Sequence, residues 1–129
     1  MKFLLDTHVL LWWISDDPRL RSRIRAIIAD RQNTILVSIA SFWELSIKYR
    51  KFGNGDSGSA IWTAALEEGF EPLSISQSHL TALEHLALIA NHGDPFDHII
   101  LVQAEAAGAV VITHDRHMTA YGVRCIGVR

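Results

Sequence analysis

Residues 94–113 restrict the fold more than any other part of the chain. Asp94-Pro95-Phe96-Asp97 reads as a helix start, with Asp94 at the N-cap, Pro95 at N1 where its missing N–H is no loss, and Asp97 at N3. Phe96, Ile99, Ile100, Ala104 and Ala107 keep the spacing of an apolar stripe, and Gly108 closes the helix near Ala107. Ala109-Val-Val-Ile-Thr113 follows at once as the clearest strand in the sequence and ends in His114-Asp115. Taken alone, Asp94 and Asp97 are ordinary helix-capping residues. Their setting argues for more, because Asp6 and Asp115 each end a strand-like run and Glu44 lies early in another helix.

The rest of the chain repeats the alternation. Lys2-Phe-Leu-Leu5 predicts a buried strand with Asp6 at its carboxyl end, followed by a short helix over 9–14. Trp12 and Trp13 in that helix read as core or interface residues. Asp17-Pro18 is expected to start the next helix, with Leu20, Ile24, Ile27 and Ile28 inward and Arg19/Arg23 and Arg21/Arg25 as i,i+4 pairs on its polar side. Thr34-Ile-Leu-Val37 predicts a second strand. Ser38 or Ser41 then caps a helix reaching about Lys51 and stopped by Gly53-Asn54-Gly55; Ser41-Phe-Trp-Glu44 also fits a capping box. Residues 53–59 form the one flexible stretch. Helices are predicted over 60–68 and 77–88, the second capped by Ser76, with extended Pro72-Leu73-Ser74 between them. A helical turn at 118–121 and a strand at 123–126 complete the chain.

Strands alternating with helices imply an α/β fold, a parallel central sheet flanked by helices on both faces, in one domain over residues 1–129. Strand C-termini and helix N-termini share one edge of such a sheet, where ligands bind. Asp6, Asp97 and Asp115 should therefore converge, and Glu44, within two turns of its helix start, should reach the same edge. Clustered carboxylates repel unless a cation or raised pKa values relieve them. Oxygen ligands suit Mg²⁺ or Mn²⁺ rather than zinc, and such ions can activate water and stabilise a leaving oxygen in phosphodiester cleavage. That scheme requires no nucleophilic side chain, and the sequence has no Gly-rich phosphate loop.

Composition sets the outer bounds. Hydrophobic residues make up 49% of the 129, which excludes a disordered chain and fits a single substantial core. The longest apolar run, 9–14, is too short to span a bilayer, and the N-terminal stretch, broken by Asp6 and His8, does not read as a signal peptide, so no membrane association is expected. The single cysteine, Cys125, cannot form an internal disulfide and is expected as a buried, reduced thiol, consistent with a cytoplasmic protein. A net charge of −2 argues against nucleic-acid binding, but eight of the twelve basic residues fall between Arg19 and Lys51, where the only acids are Asp30 and Glu44. Arg19, Arg23, Lys48, Arg50 and Lys51 are the candidates for holding a polyanion beside an acidic pocket; a solvated helix face is the alternative.

Four segments in order, Met-Lys-Phe-Leu-Leu-Asp6-Thr-His-Val-Leu-Leu-Trp, Ser-Phe-Trp-Glu44-Leu-Ser-Ile-Lys, Asp94-Pro-Phe-Asp97 and Val-Ile-Thr113-His-Asp115, together resemble a PIN domain over essentially the whole chain. In length the chain is similar to the VapC-type toxins of bacterial type II toxin–antitoxin systems. The resemblance implies a Mg²⁺- or Mn²⁺-dependent endoribonuclease, inhibited by a small cognate antitoxin and dimeric or held in a toxin–antitoxin hetero-oligomer. It implies that Asp6, Glu44, Asp97 and Asp115 form the acidic quartet, with Thr113 as a supporting hydroxyl and Asp94 as an accessory acid. Asp6 and Asp97 are the foremost candidates for direct ligation; Glu44 and Asp115 are candidates for handling metal-bound water or a second ion. Where many relatives carry a basic residue after the third acid, this chain has His98, which leaves a fixed positive charge there at neutral pH open.

Two other classes stay in view. His114-Asp115 and His92-x-Asp94 admit a different metal-dependent phosphohydrolase, but the His/Asp type is all-helical, no zinc-ligand cluster is present, and a haloacid-dehalogenase start would need an aspartate at His8. A non-catalytic PIN-like RNA- or protein-binding module would use Trp12, Trp13, Phe42 and Trp43 as interface residues, although it would not need all four acids.

Overall fold

The computed structural model describes residues 1–128. Among these residues five strands, β1 (Lys2–Leu5), β2 (Thr34–Ser38), β3 (Glu71–Leu73), β4 (Val110–Thr113) and β5 (Cys125–Gly127), form one sheet in the order β3-β2-β1-β4-β5, with every pairing parallel. Six helices join them: α1 (Thr7–Ile14), α2 (Ser22–Ala29), α3 (Ile39–Phe52), α4 (Gly58–Glu67), α5 (Gln77–Leu83) and α6 (Pro95–Ala107). A 3-10 helix over Arg116–Tyr121 precedes β5.

The strands' period of two divides the core. Phe3, Leu5, Ile35, Val37, Val110 and Ile112 face one way, onto α1, α2 and α4 through Val9, Leu10, Ile24, Ile28, Ile61 and Ala65. Leu4, Leu36 and Val111 face the other way, onto α6 through Ile100, Leu101 and Ala104, with Met118 beside them. The three central strands are thus apolar on both faces, as a doubly covered parallel sheet requires. The α/β expectation holds in this form.

Several local boundaries differ from the sequence reading. Asp17-Pro18 makes a turn rather than a helix start: the Asp17 carboxylate accepts from Arg19 N at 2.9 Å, and α2 begins only at Ser22. Arg19 therefore lies outside α2, and the expected i,i+4 pairing with Arg23 does not form. Arg25 instead donates to the carbonyls of Leu20 and Asp17 and pairs with Asp16. Helix α5 ends at Leu83 because its last turn tightens into i→i−3 bonds, which lets Leu86 turn inward against the α6 side while Leu88 stays in solvent. Val123 is buried beside Met118 ahead of β5, which begins at Cys125.

Helix α3 starts at Ile39, with Ser38 as its N-cap accepting from Ala40 N at 3.0 Å. Ser41 is then one turn inside the helix, bonded to Thr7 at 2.9 Å, so the capping box with Glu44 does not exist. Gly53 ends α3 in the left-handed region (φ 68°), a conformation that glycine adopts without a Cβ penalty. Gly58 opens α4 against α3 so closely that a Cβ there would stand 2.8 Å from Ser46 N. Among the described residues, no helix is long and apolar enough to cross a membrane.

Candidate metal centre

The carboxyl ends of β1 and β4 lie side by side, since Leu5 registers with Ile112 and Asp6 N donates to Ile112 O at 3.0 Å. That pairing delivers Asp6, Thr113 and Asp115 to one edge. Asp6 is 2% exposed, and both of its carboxylate oxygens accept hydrogen bonds. Its Oδ1 accepts from Val9 N at 2.8 Å, capping α1. Its Oδ2 accepts from the Thr113 hydroxyl at 2.5 Å and from His114 N at 3.2 Å. Thr113 Oγ1 in turn accepts from Asp115 N at 2.9 Å, so one hydroxyl positions both acids.

Helix α6 brings the third aspartate. Asp94 is the N-cap, accepting from Phe96 N at 2.9 Å, with Pro95 next and Asp97 in the first turn. The Asp97 side chain is not used for capping; it points to the imidazole of His92, whose Nε2 is 3.1 Å from Asp97 Oδ2 and 3.4 Å from Asp115 Oδ2. Ligand atoms of His92, Asp97 and Asp115 all lie within 4.8 Å of one another. His92 is 7% exposed. Its Nδ1 meets the Tyr121 hydroxyl at 2.5 Å. In the sequence His92 stands out only in the His92-x-Asp94 pattern of a rival enzyme class. Its position two residues before a helix cap that carries the acids is the signal that could have found it.

Charge follows geometry. Burial, reinforced by Asp94, lifts the Asp97 carboxyl to about 6. Asp115 moves the other way: burial opposes its ionisation, yet hydrogen bonds from the His117 backbone N–H and ring hold it below its ordinary value. The bond to Asp6 raises the His114 pKa, while burial and His114 lower that of His8, whose ring centroid is 4.2 Å from that of His114.

Glu44 occupies the other flank. It is buried on α3, its Oε2 is 3.2 Å from Lys48 Nζ, and its charge, like that of Asp6, acts on His8. The tightest donor group is thus His92, Asp97 and Asp115, with Asp6 behind Thr113 and Glu44 outside it. His98 is turned away, its Nε2 3.0 Å from the His92 carbonyl and 3.1 Å from the Tyr121 hydroxyl, where it ties down the loop.

The basic candidates separate into two groups. Arg19 lines a groove with Trp12, Pro18, Arg21 and His114, but its fork is engaged by Asp17 at 2.7 Å and its plane lies over Trp12. Arg23 donates to Gly127 O. Lys48, Arg50 and Lys51 are exposed along the C-terminal half of α3. Cys125 is a half-buried thiol rather than a fully buried one, and burial pushes its pKa up to about 11, which makes it unreactive.

A divalent cation fits this donor set. Two ligand atoms each about 2.1 Å from one Mg²⁺ are at most about 4.2 Å apart, so His92, Asp97 and Asp115 need to draw together only slightly. Apposed carboxylates, one of them with a raised pKa, gain by doing so.

A small, doubly covered parallel α/β domain with carboxylates from three segments at its carboxyl edge is the class that fold and site define. The chain belongs to the PIN domain family, whose model matches residues 3–123. It is similar in fold to VapBC2 from Rickettsia felis bound to a promoter DNA fragment (18% identity, 98% of each chain covered, TM-score 0.75). It is also similar to DNA-bound VapBC from Salmonella typhimurium (22% identity, 100% of this chain and 99% of the other, TM-score 0.72). VapBC-1 from nontypeable Haemophilus influenzae aligns at 18% identity, over 99% and 98% of the two chains, with a TM-score of 0.69. Comparison with curated proteins gives no match.

Proposed function

We propose that this protein is a Mg²⁺- or Mn²⁺-dependent endoribonuclease of the VapC type, the toxin of a type II toxin–antitoxin pair acting in the cytoplasm. The observation that carries the reading is the meeting of Asp97 and Asp115 with Asp6 set behind them through Thr113. Asp97 and Asp115 would hold the cation, Asp6 would act beside them, and Glu44 would hold a water or a second ion. When bound, the cation lowers the pKa of an attacking water and neutralises charge on the scissile phosphate. Thr113 keeps Asp6 and Asp115 in register, and Asp94 fixes the start of the helix that presents Asp97. Lys48, Arg50 and Lys51 supply positive charge on the α3 flank for RNA phosphates, and Arg19 contributes to the groove beside His114.

The partner reading is a small cognate antitoxin, with the toxin dimeric or in a hetero-oligomer. Support comes from the solved structures of similar fold, which are VapBC toxin–antitoxin assemblies. A surface suited to such a partner lies on α3, where Ile39, Trp43 and Ile47 stand exposed at four-residue intervals. The test is cleavage of single-stranded RNA with Mg²⁺, Mn²⁺ or EDTA, alongside RNA binding under the same conditions. Metal-dependent cleavage supports the nuclease; RNA binding without cleavage in any metal would favour a non-catalytic module.

A further inference from the structure

We propose that His92 is a direct ligand of the catalytic cation through Nε2, so that this PIN domain holds a mixed nitrogen and oxygen site of His92, Asp97 and Asp115 selective for Mn²⁺ over Mg²⁺. The proposal rests on the metal-dependent reading above and adds a ligand to it.

Three relationships carry it. His92 is 7% exposed, and its Nε2 stands between two carboxylates at 3.1 and 3.4 Å, the position a third ligand of a shared ion would occupy. The far side of the ring is braced, with Nδ1 2.5 Å from the Tyr121 hydroxyl, which itself lies 3.2 Å from the His92 carbonyl. Metal-binding imidazoles characteristically donate their other ring N–H to such a partner, which sets the tautomer. Finally, the segment bearing His92 is fixed, since His98 Nε2 also engages the His92 carbonyl.

The brace accommodates either proton arrangement. In one arrangement Nε2–H donates to Asp97 and the Tyr121 hydroxyl donates to Nδ1, both within hydrogen-bond distance. With a cation, Nδ1–H donates to the Tyr121 oxygen, the hydroxyl proton turns to the His92 carbonyl, and the Nε2 lone pair is free to ligate. The single proton on the ring moves from Nε2 to Nδ1, and no group gains or loses net charge. Imidazole nitrogen favours transition ions over Mg²⁺, a hard ion that prefers oxygen and retained water.

The experiment is pulsed electron paramagnetic resonance on the full chain loaded with one equivalent of Mn²⁺, with Mn²⁺ and Mg²⁺ affinities measured in parallel. The wild type should show nitrogen-14 modulation from a directly bound imidazole and bind Mn²⁺ more tightly than Mg²⁺. His92→Gln should lose the modulation and at least about tenfold in Mn²⁺ affinity, with a smaller change for Mg²⁺. Tyr121→Phe, which leaves the ring in place, should keep the modulation and lose affinity in the range of about 10- to 100-fold. Mn²⁺ bound to the wild type without nitrogen modulation, or modulation that survives His92→Gln, overturns this inference and leaves the nuclease reading standing. Failure of the wild type to bind Mn²⁺ at all overturns both.

Discussion

Thr113 donates its hydroxyl to Asp6 at 2.5 Å although the two residues are 107 positions apart, and the same oxygen accepts from Asp115 N. One β-branched side chain at the end of β4 thus aligns two of the acids. Replacing it by valine preserves volume and strand propensity but leaves Asp6 short of a donor and Asp115 N short of an acceptor. Thr113→Val should cost on the order of 1–3 kcal/mol of stability and weaken divalent-metal binding. Chemical denaturation with and without Mn²⁺ measures both, and an unchanged metal response would remove Thr113 from the site.

The raised pKa of Asp97 predicts the pH dependence of the metal-free protein. The folded state holds this proton more tightly than the unfolded chain, so the destabilisation from ionising Asp97 is fully present above about pH 6 and disappears as pH falls towards the ordinary carboxylate value. His114, raised by Asp6, adds in the same direction; His8, lowered by burial, opposes it. The melting temperature in EDTA should therefore rise more between pH 7.5 and 5 in the wild type than in Asp97→Asn. Equal pH slopes for the two proteins would contradict the assignment.

The proposed RNA holding falls mainly on the α3 flank. Lys48→Ala with Arg50→Ala should flatten the logarithmic salt dependence of single-stranded RNA binding by about 0.7 for each phosphate no longer neutralised. Arg19, held by a two-point pair with Asp17 and lying over Trp12, should contribute less than the α3 residues, of which Lys48 makes one contact with Glu44. If Arg19→Ala changes the slope and the α3 pair does not, the RNA path runs through the Trp12–His114 groove instead.

Of the four paired aromatics, only Trp43 is strongly exposed, at 58%. Trp12 is buried, Trp13 lies against Phe70 and Phe42 stacks on Trp62. Trp43→Glu, which gives up the edge-on contact with Phe96, should cost about 0.5–1.5 kcal/mol of stability and weaken association with the proposed cognate antitoxin. Affinity unchanged in that variant would move the partner surface off α3.

Much of this arrangement was readable from residue order. The helix start at Asp94-Pro95, its end at Gly108 and the strand ending at Thr113 are local matters of capping, turn chemistry and apolar runs, and they stand nearly as expected. The features that differ are those decided by which partner a side chain takes, near or far in the sequence. Asp17 commits its carboxylate to a turn with Arg19 rather than to a helix, and Ser41 bonds Thr7 from inside α3, so Glu44 is free of the capping box. The largest omission was His92. Its place two residues before the Asp94 cap hints at the site, but the loop fold that sets it between Asp97 and Asp115 and against Tyr121 is not written in that spacing.

The central claim is that Asp97 is a metal ligand and not a helix cap. Asp97→Asn removes one charge at nearly constant volume. Metal saturation of the wild type should raise its stability by roughly 2.7 kcal/mol at a hundredfold excess over the dissociation constant. The melting temperature of wild type and variant, each with EDTA and with saturating Mn²⁺, measured beside RNA cleavage, tests this directly. A ligand role predicts metal-free stability unchanged or higher in Asp97→Asn, a diminished Mn²⁺-induced rise, and no cleavage. Lower metal-free stability from the lost charge–dipole interaction at the helix start, with a full Mn²⁺ shift and retained cleavage, would contradict it.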